Sequence, residues 1–272
     1  MASVAHGTFP KSTSRVFLDL IAGAREDASA RRSARSLATV EAEALSRNAA
    51  LDAVQLLAPA DRVRIIAEVK RSSPSRGALA DIPDPAALAV SYETGGASAI
   101  SVLTEGRKFG GSLADLEAVR AAVELPVLRK DFITEPYQVF EARAAGADIV
   151  LLIVAALEQG VLAELHALAA GLGMTALVET HSADEVSRAL DIGASLVGVN
   201  ARNLNTFELD QNLFASLADH IPSGVIRVAE SAVTSPADVA HYRQAGADVV
   251  LVGEALVTKG DPVTALQQFL AS

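Results

Sequence analysis

The chain has 272 residues, no cysteine and a formal net charge of −10 at pH 7. The absence of cysteine excludes disulfides, thiolate metal sites and a catalytic thiol, and the acidic balance excludes the broad basic surface that nucleic acids require. Half of the residues are apolar, which suffices for one large core, so we expect a single domain over residues 1–272.

No segment has the pattern of a secretory leader or a membrane span. Met1–Lys11 lacks an apolar core of the signal-peptide type. The longest apolar run, Ile149–Leu157, is too short to cross a bilayer. We therefore expect a soluble, cytoplasmic protein without a membrane partner.

The chain begins with a predicted helical N-terminal extension over residues 1–63. Within it, Val16–Leu57 shows helical patterning: Phe17, Leu20 and Ile21 start an apolar stripe, and a mixed-charge stretch rich in Ala, Arg and Glu follows. The extension ends where the first apolar run begins.

From Arg64 onward, eight short apolar runs alternate with helical patterns. The predicted strands are Ile65–Val69, Ser98–Leu103, Val127–Phe132, Ile149–Val154, Thr175–Val178, Leu196–Val199, Val225–Ala229 and Val249–Val252. This alternation predicts an α/β fold with a parallel sheet, and eight units allow closure into a (β/α)₈ TIM barrel. An open doubly wound sheet is the alternative, but no glycine-rich fingerprint follows the first strand.

A Gly-Ala pair recurs between a helix end and every second strand. The pairs begin at Gly96, Gly146, Gly193 and Gly246, roughly 50 residues or two β/α units apart. Glycine at these places is suited to a left-handed helix cap. The repeat favours the barrel over the open sheet.

Charged residues end the first strand, where a barrel enzyme builds its active site. Glu68 and Lys70 share one face because strand side chains alternate. A buried carboxylate beside an ammonium keeps both charged. An ion pair that only fills the barrel mouth is the other interpretation.

Three further strands end in polar residues of matching phase. Lys130 falls on the barrel side if Leu128 does, Glu179 ends the fifth strand, and Asn200 and Arg202 share a phase after the sixth. A lysine and a glutamate on opposite walls of a dry pocket can donate and accept protons. Charges at successive strand ends are costly in an apolar core, so we predict an acid–base site here.

The ends of strands seven and eight are candidates for binding a phosphate. Glu230, Ser231 and Ala232 follow strand seven, and Gly253 and Glu254 follow strand eight. These two loops form the usual phosphate site of such barrels, where backbone N–H groups face the anion.

One loop and two aromatic residues complete the candidate pocket. Ser73 and Pro74 lie in a small, basic loop typical of a mobile lid or a solvated turn. Phe109 and Phe132 are notable in a chain with 4% aromatic residues. They suit the wall of a pocket for a flat ring, although an ordinary core role fits them equally.

The strand-end motifs, in this order, resemble the indole-3-glycerol phosphate synthase family over nearly the whole chain. The motifs are IAEVKRSSPSRG (66–77), SVLTEGRKFGGS (101–112), PVLRKDF (126–132), VET (178–180), GVNARNL (198–204), AES (229–231) and LVGEAL (251–256). The resemblance implies a tryptophan-pathway enzyme that closes and decarboxylates 1-(2-carboxyphenylamino)-1-deoxyribulose 5-phosphate. It implies no metal and no organic cofactor, and other enzymes of the pathway as possible partners.

The same resemblance implies a role for each site residue. Lys130 would be the general acid and Glu179 the general base, with Lys70 as a phosphate contact or second acid; the division of steps between the lysines stays open. The remaining implied roles are Glu68 for positioning, Asn200 for a substrate hydroxyl, Arg202 for the anthranilate side, Ser73 and Pro74 for the lid, Phe109 and Phe132 for the ring, and Glu230, Ser231, Ala232, Gly253 and Glu254 for the phosphate end.

The chain departs from the family pattern at Ala232, where the family usually has glycine. If this position needs a positive φ, alanine costs on the order of 1 kcal/mol. The family also occurs fused to the phosphoribosylanthranilate isomerase barrel, and the single barrel here predicts a monofunctional enzyme.

Two other functions remain open from the residues. A desolvated Lys130 or Lys70 could form a Schiff base as in barrel aldolases, although Asn200 stands where strand six would carry the lysine. A barrel that only binds a phosphorylated ligand is disfavoured, because binding alone requires no acid and base pair.

Overall fold

The computed structural model describes residues 15–258 and 260–272. The first part of the predicted extension, residues 1–14, lies outside the described residues. The expectation for Met1–Lys11 therefore falls there too.

Eight parallel strands form a closed barrel, as predicted. They are β1 (Arg64–Val69), β2 (Ala99–Leu103), β3 (Val127–Lys130), β4 (Ile149–Ile153), β5 (Thr175–Thr180), β6 (Leu196–Asn200), β7 (Ile226–Glu230) and β8 (Val249–Val252). Each strand pairs with its neighbours in chain order, and β8 closes the barrel on β1. The open doubly wound sheet is excluded.

The strand ends differ slightly from the predicted ones. β3 stops at Lys130 instead of Phe132, because Asp131 Oδ1 accepts the backbone N–H of Phe132 at 2.8 Å. β5 and β6 run on to Thr180 and Asn200. These strands hold the polar residues of the barrel mouth in regular β geometry.

Helices alternate with the strands around the barrel. They are α4 (Pro85–Gly95), α5 (Leu113–Ala122), α6 (Pro136–Ala145), α7 (Gln159–Gly171), α8 (Ala183–Asp191), α9 (Leu213–Ala218), α10 (Pro236–Gln244), α11 (Glu254–Val257) and α12 (Pro262–Leu270), with a 3₁₀ turn at Val154–Ala156. The glycines of the four Gly-Ala pairs have φ of 99°, 97°, 77° and 94°. The predicted left-handed caps are confirmed.

The described part of the extension forms three helices, α1 (Arg15–Ala34), α2 (Leu37–Ser46) and α3 (Ala53–Leu56). The predicted helical stretch Val16–Leu57 is therefore interrupted. Ser36 and Asp52 cause the breaks, since their side chains cap the backbone at the starts of α2 and α3.

The core lies inside the barrel and between its strands and helices. Val, Ile and Leu dominate the barrel strands, whose residues are buried on both faces. α2 packs on α6 in a smaller apolar cluster of Val40, Ala44, Tyr137 and Ala144. Among the described residues, no helix has the length and hydropathy needed to span a membrane.

Candidate active site

A cavity of about 580 Å³ opens at the carboxyl ends of the strands. Every residue that the sequence predicted for the site lines this cavity. Side chains from all parts of the barrel meet there because parallel strands end at the same rim.

Lys130 lies between two buried carboxylates at the floor of the cavity. Its Nζ is 2.8 Å from Glu230 Oε2 and 3.5 Å from Glu179 Oε2. The carboxylate side chains are 1% and 2% exposed, and that of Lys130 is 14% exposed. We call Lys130, Glu179 and Glu230 the acid–base cluster.

Burial opposes the charge on Lys130, but the surrounding carboxylates of Glu230, Glu179 and Glu68 outweigh it and raise its pKa. The lysine is therefore an ammonium at neutral pH. Such a group can donate a proton or a charged hydrogen bond to an oxygen in the cavity.

The two glutamates of the cluster differ in charge state. Burial, together with the neighbouring Glu179, raises the pKa of Glu230 to about 7 despite Lys130. Burial also acts on Glu179, but Lys130, His181 and a hydrogen bond with Asn200 outweigh it and lower its pKa. At neutral pH, Glu179 is therefore ionised, whereas Glu230 is partly protonated.

Glu68 and Lys70 form the predicted ion pair at the end of β1. Lys70 Nζ is 2.7 Å from Glu68 Oε1, and Ser101 Oγ donates to Glu68 Oε2 at 3.4 Å. Burial opposes ionisation of Glu68, yet Lys70 and Lys130 lower its pKa. Glu68 is therefore a charged group that faces both lysines.

Two glycines give these carboxylates their space. A Cβ at Gly253 would overlap Glu68 Oε1, and a Cβ at Gly198 would overlap Glu230 Oε1. Gly253 has φ of −119°. The absence of a side chain at Gly253 thus leaves room for the Glu68 carboxylate.

The side-chain oxygen of Asn200 accepts two hydrogen bonds from neighbouring residues. Oδ1 accepts from Ser231 Oγ at 2.7 Å and from the backbone N–H of Arg202 at 3.0 Å. The predicted role toward a substrate hydroxyl would therefore fall on its amide nitrogen, which also donates to Glu179.

The backbone after β7 is left-handed at two consecutive residues. Ser231 and Ala232 have φ of 68° and 56°. The condition that made alanine unfavourable at position 232 is therefore met. Tyr242 Oη donates to the Ser231 carbonyl at 3.2 Å and fixes this turn.

Loops from three strands meet over the cavity. Ser72–Ser73 pairs with Gly77–Ala78 as a short antiparallel ribbon that carries the predicted lid residue Pro74. Arg202 Nη1 donates to Ser75 Oγ at 3.3 Å, and Arg76 forms an ion pair with Glu254. The lid is thereby joined to the loops after β6 and β8.

Aromatic rings form one wall of the cavity. The centroids of Phe109 and Phe132 are 6.3 Å apart, and Phe17 of α1 lies 6.4 Å from Phe132. All three line the cavity. The predicted pair is therefore joined by a ring from the N-terminal extension.

Sequence reasoning missed Phe17 and His181 as site residues. Phe17 gave no signal besides its place in an apolar stripe. His181 is two residues beyond Glu179, and the period-2 pattern that selected Lys70 after Glu68 would have found it. Its Nε2 is 3.5 Å from Glu179 Oε1.

Arg129, next to Lys130, points to the outside of the barrel, toward α6. It is fully buried and donates to Thr104 Oγ1, the Gln138 carbonyl and Asp131 Oδ2 at 3.2, 2.9 and 2.9 Å. It also pairs with Glu141, at 2.9 Å. We call these contacts the Arg129 network.

The described residues contain no group of three or more His, Asp or Glu side chains placed to hold a metal ion.

The barrel is shared with several solved structures of low sequence identity. A 3-hexulose-6-phosphate synthase superposes with a TM-score of 0.61 at 18% identity, over 77% of this chain and 98% of the other. An N-acetylmannosamine-6-phosphate 2-epimerase from Clostridium perfringens gives 0.61 at 14% identity, over 80% and 96%. At these identities the likeness shows the fold alone.

Sequence comparison is more specific. The family model described as "Indole-3-glycerol phosphate synthase" matches residues 18–269. Proteins of that name from Leifsonia xyli subsp. xyli and Beutenbergia cavernae are 73% and 59% identical. The matches cover 92% and 94% of this chain, and 96% and 95% of the relatives. The chain therefore belongs to the indole-3-glycerol phosphate synthase family.

Proposed function

We propose that this protein is an indole-3-glycerol phosphate synthase, a carboxy-lyase that converts 1-(2-carboxyphenylamino)-1-deoxyribulose 5-phosphate to indole-3-glycerol phosphate, carbon dioxide and water. The observation that carries the proposal is the acid–base cluster, with an ammonium 3.5 Å from one buried carboxylate and 2.8 Å from another at the floor of the cavity. The identity of the substrate is inferred from membership of the family.

In the first step, the ring carbon that bears the carboxylate attacks the substrate ketone. The Lys130 ammonium donates its proton to the ketone oxygen, which becomes a hydroxyl as the new carbon–carbon bond forms. Loss of carbon dioxide then returns the electron pair of the broken bond to the ring and restores its aromaticity.

In the second step, the hydroxyl leaves as water and a proton is removed. Glu179 is suited to accept that proton because it is ionised and buried in the cavity. Lys70 is the second ammonium at the rim, 2.7 Å from Glu68. It can serve as a phosphate contact or as the acid for the departing hydroxyl.

The two ends of the cavity suit the two ends of the substrate. The wall of Phe17, Phe109 and Phe132 would hold the anthranilate ring, and Arg202 would lie on the side of its carboxylate. The left-handed turn at Ser231 and Ala232, with Gly253 nearby, would hold the phosphate through backbone N–H groups.

A Schiff-base aldolase is less well supported. Imine formation requires a neutral amine, whereas the carboxylates around Lys130 raise its pKa. The cluster therefore favours proton donation by this lysine.

The test is a direct assay with the purified protein and this substrate, in which indole fluorescence and carbon dioxide release are followed together. We expect both signals, and we expect Glu179→Gln to abolish both. Glu164→Gln, at an exposed position on α7, is the matched control and should leave the rate unchanged. Absence of both signals from the unmodified protein would overturn the proposal.

We further propose that the chain acts as one catalytic domain over residues 1–272, in the cytoplasm, where other tryptophan-pathway enzymes would supply its substrate and use its product. Phe17 of the extension lines the cavity of the barrel, which supports the single domain.

A further inference from the structure

His181 forms a bridge between the acid–base cluster and the start of α8. Its Nδ1 is 3.2 Å from Glu185 Oε2, and its Nε2 is 3.5 Å from Glu179 Oε1. The backbone N–H of His181 also donates to Glu185 Oε2, at 2.7 Å. The ring is thus held by one carboxylate and directed at another.

The tautomer follows from these contacts. The Glu185 carboxylate accepts a hydrogen bond from Nδ1, so this nitrogen carries a hydrogen. A neutral ring would then present a lone pair from Nε2 to the Glu179 carboxylate, which repels it. A protonated ring presents an N–H instead, and Nε2 has no other hydrogen-bond partner among the described residues.

The contacts of Lys130 do not by themselves explain why Glu179 is the carboxylate that stays ionised. Glu179 and Glu230 share one ammonium, and Lys130 Nζ is closer to Glu230 than to Glu179, at 2.8 against 3.5 Å. Judged from Lys130 alone, Glu230 would be the better stabilised anion. The proposed base, however, is Glu179.

We propose that His181 is a positioning residue that selects which buried glutamate stays ionised: its imidazolium, held by Glu185, keeps the negative charge on Glu179 and leaves the shared proton on Glu230. The inference rests on the proposed function only in naming Glu179 as the base. The distribution of charge can be measured without substrate.

The electrostatic surroundings of His181 agree with a charged ring. Burial opposes its charge, but Glu185 on α8, Glu179 on β5 and Glu230 on β7 raise its pKa. Lys130 on β3 approaches the other oxygen of Glu179, Oε2, and its positive charge acts in the opposite sense. The side chain is only 13% exposed, so solvent screens these charges weakly.

The first experiment is a substrate-free titration of the glutamate side-chain carboxyl carbons by ¹³C NMR. In the unmodified protein, we expect the Glu230 signal to titrate near neutral pH and Glu179 to stay ionised well below it. In His181→Gln, which keeps a hydrogen-bond donor but no charge, the order should reverse. His166→Gln on α7 is the control and should change neither signal. An unchanged order in His181→Gln would overturn the proposal.

The second experiment is the pH profile of turnover. In His181→Gln, the acid limb of kcat should move up to near neutral pH, with about a tenfold loss near pH 6 and recovery at alkaline pH. KM should change by less than about twofold. Glu185→Gln, which leaves the ring but removes its anchor, should shift the limb in the same direction by less.

The two experiments separate this inference from the proposed function. If the unmodified protein lacks synthase activity, the NMR titration still decides whether His181 controls the charge on Glu179. A uniform loss of kcat across pH in the His181 and Glu185 variants, with no reversal by NMR, would mean a merely structural role and would contradict the proposal.

Discussion

Arg129 and Lys130 are adjacent in β3, and both place a cation among carboxylates, yet their surroundings are opposite. Arg129 is fully buried, and its contacts with Thr104, Gln138, Asp131 and Glu141 use its guanidinium on every side. Lys130 faces an open cavity, and Glu230 Oε1 beside it has no hydrogen-bond partner among the described residues.

The difference separates residues that stabilise the fold from residues that can take part in a reaction. A fully satisfied buried network has no capacity left for a ligand, so its residues hold elements together. A cluster with unsatisfied atoms and a shifted carboxyl pKa is poised to exchange protons with something in the cavity. Charge and burial by themselves do not distinguish the two sites.

The strongest test of this contrast is Lys130→Met. We expect kcat to fall by about 10²–10⁴-fold, because the general acid is lost while the cavity is kept. The free energy of unfolding should change less than in a matched variant of Arg129, since cavity water can solvate the carboxylates left behind. Steady-state assays and urea unfolding measure the two quantities. Near-normal turnover would remove Lys130 from the mechanism.

Arg129→Met should show the reverse pattern. Removing this arginine leaves the buried Asp131 without its cation and Glu141 with Arg31 as its cation, so we expect a loss of about 3–5 kcal/mol in the free energy of unfolding. Arg31→Met is the control, because Arg31 reaches the same Glu141 from α1 but is 34% exposed. Its loss should stay near or below about 1 kcal/mol. Equal losses in both variants would refute the network's role.

The raised pKa of Glu230 predicts a pH-dependent stability. Its pKa of about 7 in the folded protein exceeds the ordinary 4.5. Between these values the folded state holds a proton that the unfolded chain has released, so this group's contribution to stability falls as pH rises through that window. The effect is on the order of 3 kcal/mol at 1.36 kcal/mol per pKa unit.

Glu230→Gln removes this titration. Its free energy of unfolding relative to the unmodified protein should therefore increase between about pH 5 and about pH 8, as measured by urea unfolding at each pH. A difference that is constant with pH would show that Glu230 titrates normally.

The smallest expected effect is at the left-handed turn. Ala232→Gly should raise the free energy of unfolding by about 1 kcal/mol or less, since glycine accepts φ of 56° without the steric cost of a Cβ. Ala245→Gly, at φ of −78°, is the control and should lose stability by a similar amount. Thermal or urea unfolding without substrate measures both, and the same sign in both variants would contradict the argument.

The sequence predicted the barrel and the faces of its strands well. Eight apolar runs and four Gly-Ala caps predicted the barrel, and the period-2 alternation placed Glu68, Lys130 and Glu179 at its mouth. It was less accurate at element ends: side-chain caps at Ser36 and Asp52 divide the predicted helical stretch, and Asp131 ends β3 early. Such ends depend on single hydrogen bonds, which a periodic pattern does not resolve.

The sequence by itself determined which residues belong to the barrel mouth, because alternation along a strand fixes the face of each side chain whatever the neighbouring strands are. Only the tertiary structure decided which of them touch. Barrel closure and register bring Glu230 closer to Lys130 than Glu179 is, direct His181 at Glu179, and place Phe17 in the aromatic wall. Those contacts join residues far apart in the chain, and their distances depend on how the strands and the extension pack together.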